Sequence, residues 1–206
     1  MTRPTVYVVD DDEAVRHSLE FWLRSLELDV HGFPSGEAFL SQADIVTPSC
    51  LVVDLRMPDM TGLELQERLN SEGIRVPVIF LTGHGTIPQA VQAMSRGAID
   101  FLEKPYEKEV LYDRIQKAIA KDERESFDAQ RLDELRERRA GLTQRQLEVL
   151  ERVVEGKANK VIAIELGLSE KTIELHRAKM MRRMGADSLA ELVKMWVALQ
   201  QGNGVA

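Results

Sequence analysis

The chain has 206 residues, 44% apolar and 30% charged, with a single cysteine and a formal net charge of −7. That much apolar content excludes wholesale disorder, and a lone cysteine excludes an internal disulfide or a cysteine-rich zinc site. The charge is uneven: residues 1–120 carry 11 Lys+Arg against 19 Asp+Glu, residues 121–140 carry 6 against 7, and residues 141–206 carry 10 against 8. An acidic first half and a mildly basic end predict two domains with different partners. The start lacks the basic and apolar regions of a signal peptide, and no apolar run approaches a membrane span, so a soluble cytoplasmic protein is expected.

In chain order, short apolar, β-branched runs predict buried parallel strands at Thr5–Val9, Asp29–Phe33, Leu51–Val53, Val78–Leu81 and Asp100–Leu102. Cys50 lies in one of these runs and reads as a small buried hydrophobe. Between the strands, helical spacing appears at Ala14–Leu26, Ser35–Leu40, Gly62–Leu69, Pro88–Ser95 and Glu109–Ala120. Ser35 and Thr61 fit N-caps and Pro88 fits a first turn. Five alternations in about 120 residues predict a doubly wound, five-stranded parallel α/β sheet.

Lys121–Arg139 has neither Gly nor Pro and is predicted helical, continuing from the last helix of the α/β region. Its apolar positions Phe127, Leu132 and Leu135 leave two readings open, a solvated linker and a dimerising helix. From Leu142 on, all the spacing is helical. Thr143–Glu155, Asn159–Leu166, Glu170–Met184 and Ser188–Leu199 predict a four-helix, all-α domain with Ser169 and Ser188 as caps. The predicted divisions are 1–121, 122–140 and 141–206.

In an open α/β sheet, sites form beyond the carboxyl ends of the strands. Asp10 and Asp11 close the first predicted strand, Asp54 the third, Thr82 the fourth and Lys104 the fifth. Three carboxylates in one crevice repel each other unless a cation joins them, and an oxygen-only donor set suits Mg²⁺ or Mn²⁺. Such a metal would also hold the oxygens of an incoming phosphoryl group. Asp54 is then the nucleophile, Thr82 a hydrogen-bond donor to phosphate and Lys104 a mobile positive charge. Asp12 and Glu13 read as solvated acids suited to the start of a helix.

The motifs Val8-Val9-Asp10-Asp11, Val53-Asp54-Leu55-Arg56-Met57-Pro58, Thr82-Gly83-His84-Gly85 and Lys104-Pro105 resemble the receiver domain of two-component systems over roughly residues 4–121. That resemblance implies Asp10, Asp11, Asp54 and the backbone carbonyl of Arg56 as metal ligands. It further implies phosphorylation of Asp54 by a sensor histidine kinase, Thr82 and Phe101 as a switch pair, and a cis Lys104-Pro105 bond. On spacing alone Phe101 reads as core. His84, two residues past Thr82, stands either as a surface histidine or as a residue that tunes phosphate lifetime.

The 159–184 segment has helix-turn-helix proportions, in which the second helix enters the DNA major groove. Ile173, Met180 and Met184 share a core-facing spacing. Lys171, Glu174, Leu175, Ala178, Lys179 and Arg182 make the opposite face, where Lys and Arg would neutralise phosphates and Glu174 could accept from a cytosine amine. The stretches Leu142–Gln146, Asn159–Ala163 and Lys171–His176 resemble the LuxR/NarL-type helix-turn-helix, and the whole chain is similar to its FixJ/StyR-like branch. By resemblance, Lys160, Thr172, Glu174, Leu175, Arg177 and Lys179 are DNA contacts. The family's first helix starts with Thr or Ser followed by Pro; here Gln144 follows Thr143. The resemblance implies a transcription regulator and not an enzyme on outside substrates. Its expected partners are a sensor kinase, promoter DNA, RNA polymerase and, once phosphorylated, a second copy of the chain.

Overall fold

The structure, a computed structural model, describes residues 3–83 and 85–201. The chain divides into two compact units, Met1–Ser126 and Phe127–Ala206. The division falls inside the segment 122–140, whose residues are shared between the two units.

In the first unit, strands β1 (Thr5–Val9), β2 (Asp29–Phe33), β3 (Ser49–Asp54), β4 (Val78–Thr82) and β5 (Asp100–Glu103) form one sheet in the order β2-β1-β3-β4-β5. Every pairing is parallel. The strands alternate with helices α1 (Glu13–Arg24), α2 (Gly36–Gln42), α3 (Gly62–Ser71), α4 (Ile87–Ser95) and α5 (Lys108–Ala140). Successive strand side chains face opposite ways, so the sheet feeds two cores. Tyr7, Val9, Leu51, Val53, Val78 and Phe80 pack on one side with Phe39, Leu65 and Leu69. Val6, Val8, Cys50, Val52, Ile79 and Leu81 pack on the other with Leu19, Leu23, Leu111 and Ile115. Full burial of each such side chain is worth roughly 1.5–3 kcal/mol. Both faces being covered is why these strands read as continuous apolar runs.

The helix starts are set locally. Ser35 Oγ accepts from the Ala38 amide, and Thr61 with Glu64 forms a capping box. Pro88 sits in the first turn of α4. At α1, Asp12 does more than complement the dipole, because its carboxylate accepts from the amides of Ala14 and Val15 as the N-cap. The Lys104-Pro105 peptide bond is cis.

The second unit contains the end of α5 together with α6 (Gln144–Val154), α7 (Asn159–Leu166), α8 (Glu170–Met184) and α9 (Leu189–Gln201). Leu135, Leu142, Val149, Leu150, Val153, Ile162, Ile173, Met180, Met184, Leu192, Met195 and Leu199 form its core. Leu135 is 4% exposed and packs in this core, while most other residues of 127–140 are exposed. Thr143 caps α6 in a box with Gln146; Gln144 at the family's proline position leaves the cap intact. Gly167, at φ +66°, ends α7 in the left-handed conformation that a side chain disfavours.

Candidate phosphoacceptor pocket and DNA-facing helix

The strand order reverses at β1 and β3, where their neighbouring ends open a crevice. Val9 pairs with Val53, so the next residues, Asp10 and Asp54, leave the sheet side by side. Asp54 pairs with Leu81, which brings Thr82 one residue farther along, and Thr82 pairs with Glu103, the residue before Lys104. Register alone therefore gathers four of the side chains expected at the site.

Lys104 joins two of them. Its Nζ donates to Asp10 Oδ2 at 2.9 Å and to Asp54 Oδ1 at 2.6 Å. The Lys104 amide also donates to the Thr82 carbonyl at 2.6 Å, fixing the root of the side chain. Asp54 Oδ2 accepts from the Arg56 amide at 2.6 Å, and Asp10 Oδ1 accepts from the Asp12 amide at 3.0 Å. Arg16 donates to the Asp10 carbonyl at 2.7 Å. Asp10, Asp54 and Thr82 are all buried, whereas Asp11 is exposed.

Burial pushes the Asp10 carboxyl above the usual carboxylate range, against the downward pull of Lys104. For Lys104, burial works against the ammonium, but its hydrogen bonds to Asp54 and Asp10 outweigh it and raise the pKa. Burial likewise raises Tyr106, which neighbours Lys104. Lys104 and the Asp12 amide thus offset part of the cost of burying the Asp10 charge.

Two adjacent carboxylates with oxygen donors and a displaceable ammonium between them suit a hard divalent cation. No three His, Cys, Asp or Glu side chains are grouped as a metal site among the described residues. The structure brings together Asp10, Asp54 and Lys104, while Asp11 lies outside that group. Of Arg56, it is the amide that is fixed against Asp54.

Thr82 and Phe101 meet at a glycine. A Cβ on Gly85 would lie 2.6 Å from both Thr82 Cγ2 and the Phe101 ring edge, so the backbone there touches both residues and no larger residue fits without moving them. Phe101 is half-buried and its ring centroid lies 6.1 Å from that of Phe80. It packs on the core and still has a free side, which spacing alone does not reveal. His84 lies outside the described residues.

In the second unit, α7, the turn at Gly167 and α8 form the expected helix-turn-helix, with Ser169 capping α8. Ile173, Met180 and Met184 point into the core. Lys160, Lys171, Glu174, Leu175, Ala178, Lys179 and Arg182 are exposed. Thr172 and Arg177 are half-buried and already engaged: Thr172 Oγ1 pairs with Ser169 Oγ at 2.7 Å, and Arg177 donates to Asn159 Oδ1 at 3.0 Å. An ion-pair group absent from the sequence reading, Arg152 and Lys157 on Glu165, ties α7 to α6 and the turn after it. Its members are 13 and 8 residues apart, a separation no local motif would flag.

Comparison with known proteins matches residues 6–116 to the response regulator receiver domain and residues 140–196 to the bacterial regulatory proteins of the luxR family. The transcriptional regulatory protein FixJ of Azorhizobium caulinodans is 44% identical over 190 residues, covering 92% of this chain and 90% of that protein. The response regulator protein TodT of Pseudomonas putida is 40% identical over 190 residues, covering 92% and 84%. Among solved structures, the response regulator StyR is 40% identical with a TM-score of 0.86, covering 95% of this chain and 99% of that one. Full-length FixJ from B. japonicum is 39% identical with a TM-score of 0.60, covering 98% and 99%. Among the described residues no helix is long and apolar enough to cross a membrane. With a receiver pocket on the first unit and a LuxR-type helix-turn-helix on the second, the chain belongs to the response regulators of two-component systems, in the company of the FixJ and TodT transcriptional regulators.

Proposed function

We propose that this chain is a transcription switch thrown by phosphorylation of Asp54. A sensor histidine kinase donates the phosphoryl group: an Asp54 carboxylate oxygen attacks phosphorus, the bond to the kinase histidine breaks, and the imidazole leaves. Mg²⁺ or Mn²⁺ would be held by Asp10, Asp11, Asp54 and the Arg56 carbonyl, neutralising charge on the phosphoryl oxygens. For that, exposed Asp11 turns inward and Lys104 moves from the carboxylates to the phosphate. Thr82 donates to the phosphoryl oxygen, and Phe101 follows into the space it leaves. Catalysis is limited to this self-directed transfer and its hydrolysis, within the cytoplasm.

The single observation that carries this reading is Lys104 Nζ bridging Asp10 and Asp54 at hydrogen-bond distance. A lone ammonium clamped between a nucleophile and its neighbour is poised to exchange carboxylate for phosphate. Ile87, Val91 and Met94 on α4 are 82%, 62% and 47% exposed, and three large apolar side chains on one short helix support an interface used when the receiver is active. Pairing two copies there would place two helix-turn-helix units on paired half-sites and gain affinity through effective concentration. Lys160, Lys171, Thr172, Glu174, Leu175, Arg177 and Lys179 would contact promoter DNA, and the bound dimer would recruit RNA polymerase as an activator. The domains are assigned as receiver 1–121, linker 122–140 and DNA-binding 141–206, with the linker's last turns lending Leu135 to the third.

Sedimentation velocity tests the switch. Beryllofluoride with Mg²⁺ should convert the wild-type monomer to a dimer and leave Asp54→Asn monomeric. A wild-type chain that stays monomeric, or an Asp54→Asn chain that dimerises, would sink the proposal.

A further inference from the structure

The end of α5 lies just before the residues matched to the luxR family, 140–196, yet it is bound to the last turn of α8. Arg138 Nη1 donates to the Met184 carbonyl at 3.2 Å. Met184 is the final residue of α8, where backbone carbonyls lack partners within the helix and the helix dipole is negative. Gly185, which follows at φ +72°, is packed so closely that a Cβ there would lie 2.8 Å from Arg138 Nη1. A contact also runs the other way: the Arg183 guanidinium of α8 lies over Gly141, where a Cβ would come within 2.2 Å of its Nη2. Beneath these polar contacts Leu135 and Leu142 share one core with Met180 and Met184, and the Arg139 guanidinium stacks 5.6 Å over Trp196 of α9.

The two halves of α8 are therefore held by different elements. Its start is set by the Ser169 cap, and Arg177 at its middle is tied to α7 through Asn159. Its end is closed by the left-handed Gly185 cap and is contacted from outside the helix-turn-helix proper by Arg138 and Gly141. A recognition helix reads bases only if its axis sits at one angle in the groove, whereas phosphate contacts tolerate more slack. From this we infer that Arg138, together with the side-chain-free Gly141, is a positioning element of the recognition helix: it sets sequence discrimination by fixing the C-terminal end of α8. The inference rests on the reading of α8 as the DNA-contacting helix and extends it to Arg138, which precedes the DNA-binding module, and to Gly141 at the module's start.

The test uses the full-length protein and duplex DNA selected by wild type from a randomised pool, with unselected duplex of equal length as reference. Arg138→Met should weaken binding to selected duplex about fivefold and leave binding to unselected duplex within about twofold, with the salt slope unchanged. Arg138→Lys, which still reaches the carbonyl, should restore most of the discrimination. Gly141→Ala meets the Arg183 guanidinium first, the far end of a flexible side chain, so it should fold and show a smaller loss of the same kind. Thermal unfolding of each variant separates positioning from collapse of the unit. Equal losses on both duplexes with a salt slope lowered by about one would make Arg138 a phosphate contact and overturn the inference. Unchanged discrimination in both Arg138→Met and Gly141→Ala would overturn it too. If wild type enriches no sequence, the DNA-binding reading itself fails and the inference falls with it.

Discussion

The two units carry function in contrasting ways. In the first, topology places each candidate side chain: parallel register brings Asp10, Asp54, Thr82 and Lys104 to one end of the sheet. In the second, the candidates share one exposed helix face, and exposure is common to Lys171, Glu174, Leu175, Ala178, Lys179 and Arg182 alike. A site made by converging strand ends is specified residue by residue, while a site made by a helix face is specified as a surface. Substitutions should therefore act all-or-none in the pocket and by increments on the helix.

The largest effect expected from that contrast is at Lys104. Lys104→Met removes the ammonium that Asp10 and Asp54 share, and phosphorylation-dependent DNA binding should fall about a hundredfold, on the scale set by losing an electrostatic stabiliser. Fluorescence anisotropy with and without a phosphodonor would measure it, and a loss below tenfold would blur the comparison. Next comes independence of the units. Leu150→Ala empties a fully buried core position and should destabilise the second unit by about 2–5 kcal/mol. Calorimetry should show its transition move while Asp54 still accepts phosphate. A smaller effect is expected on the helix face: Lys179→Ala should weaken binding to every duplex similarly and lower the salt slope by about one.

The smallest effect concerns Asp122, buried in the first unit with its Oδ2 accepting from the Ser49 amide at 2.8 Å. Burial raises its pKa above the ordinary aspartate value. The folded state therefore binds this proton more tightly than the unfolded one. Its stabilising contribution is complete below the unfolded pKa and is lost as pH rises through the folded pKa. At neutral pH the buried charge is a net cost, and Asp122→Asn keeps the acceptor without the charge. The variant should melt slightly above wild type at pH 7, and the gap should close as pH falls toward the ordinary aspartate range.

Much of this organisation could be read from the residues because burial on both sheet faces writes itself as apolar runs and strand ends are where the runs stop. Asp10, Asp54, Thr82 and Lys104 were legible for that reason. Asp11 was grouped with them by its place at the strand end and by the receiver resemblance, and its side chain is exposed in this structure. Thr172 and Arg177 were implied as DNA contacts by the family resemblance, which carries no information on Ser169 or Asn159 as competing partners. The spacing of Phe127, Leu132 and Leu135 left a solvated linker and a dimerising helix open, because the core neighbours of Leu135 come from α6, α8 and α9 and not from its own helix. Arg138 matched no motif, since its partner is a backbone carbonyl 46 residues away.

The most direct test is to map the phosphoryl group by peptide mass spectrometry after exposure to acetyl phosphate with Mg²⁺. One modified peptide, the one containing Asp54, with no modification in Asp54→Asn or after chelation of Mg²⁺, is the expected result. Modification at another residue, or undiminished modification in Asp54→Asn, would contradict the account.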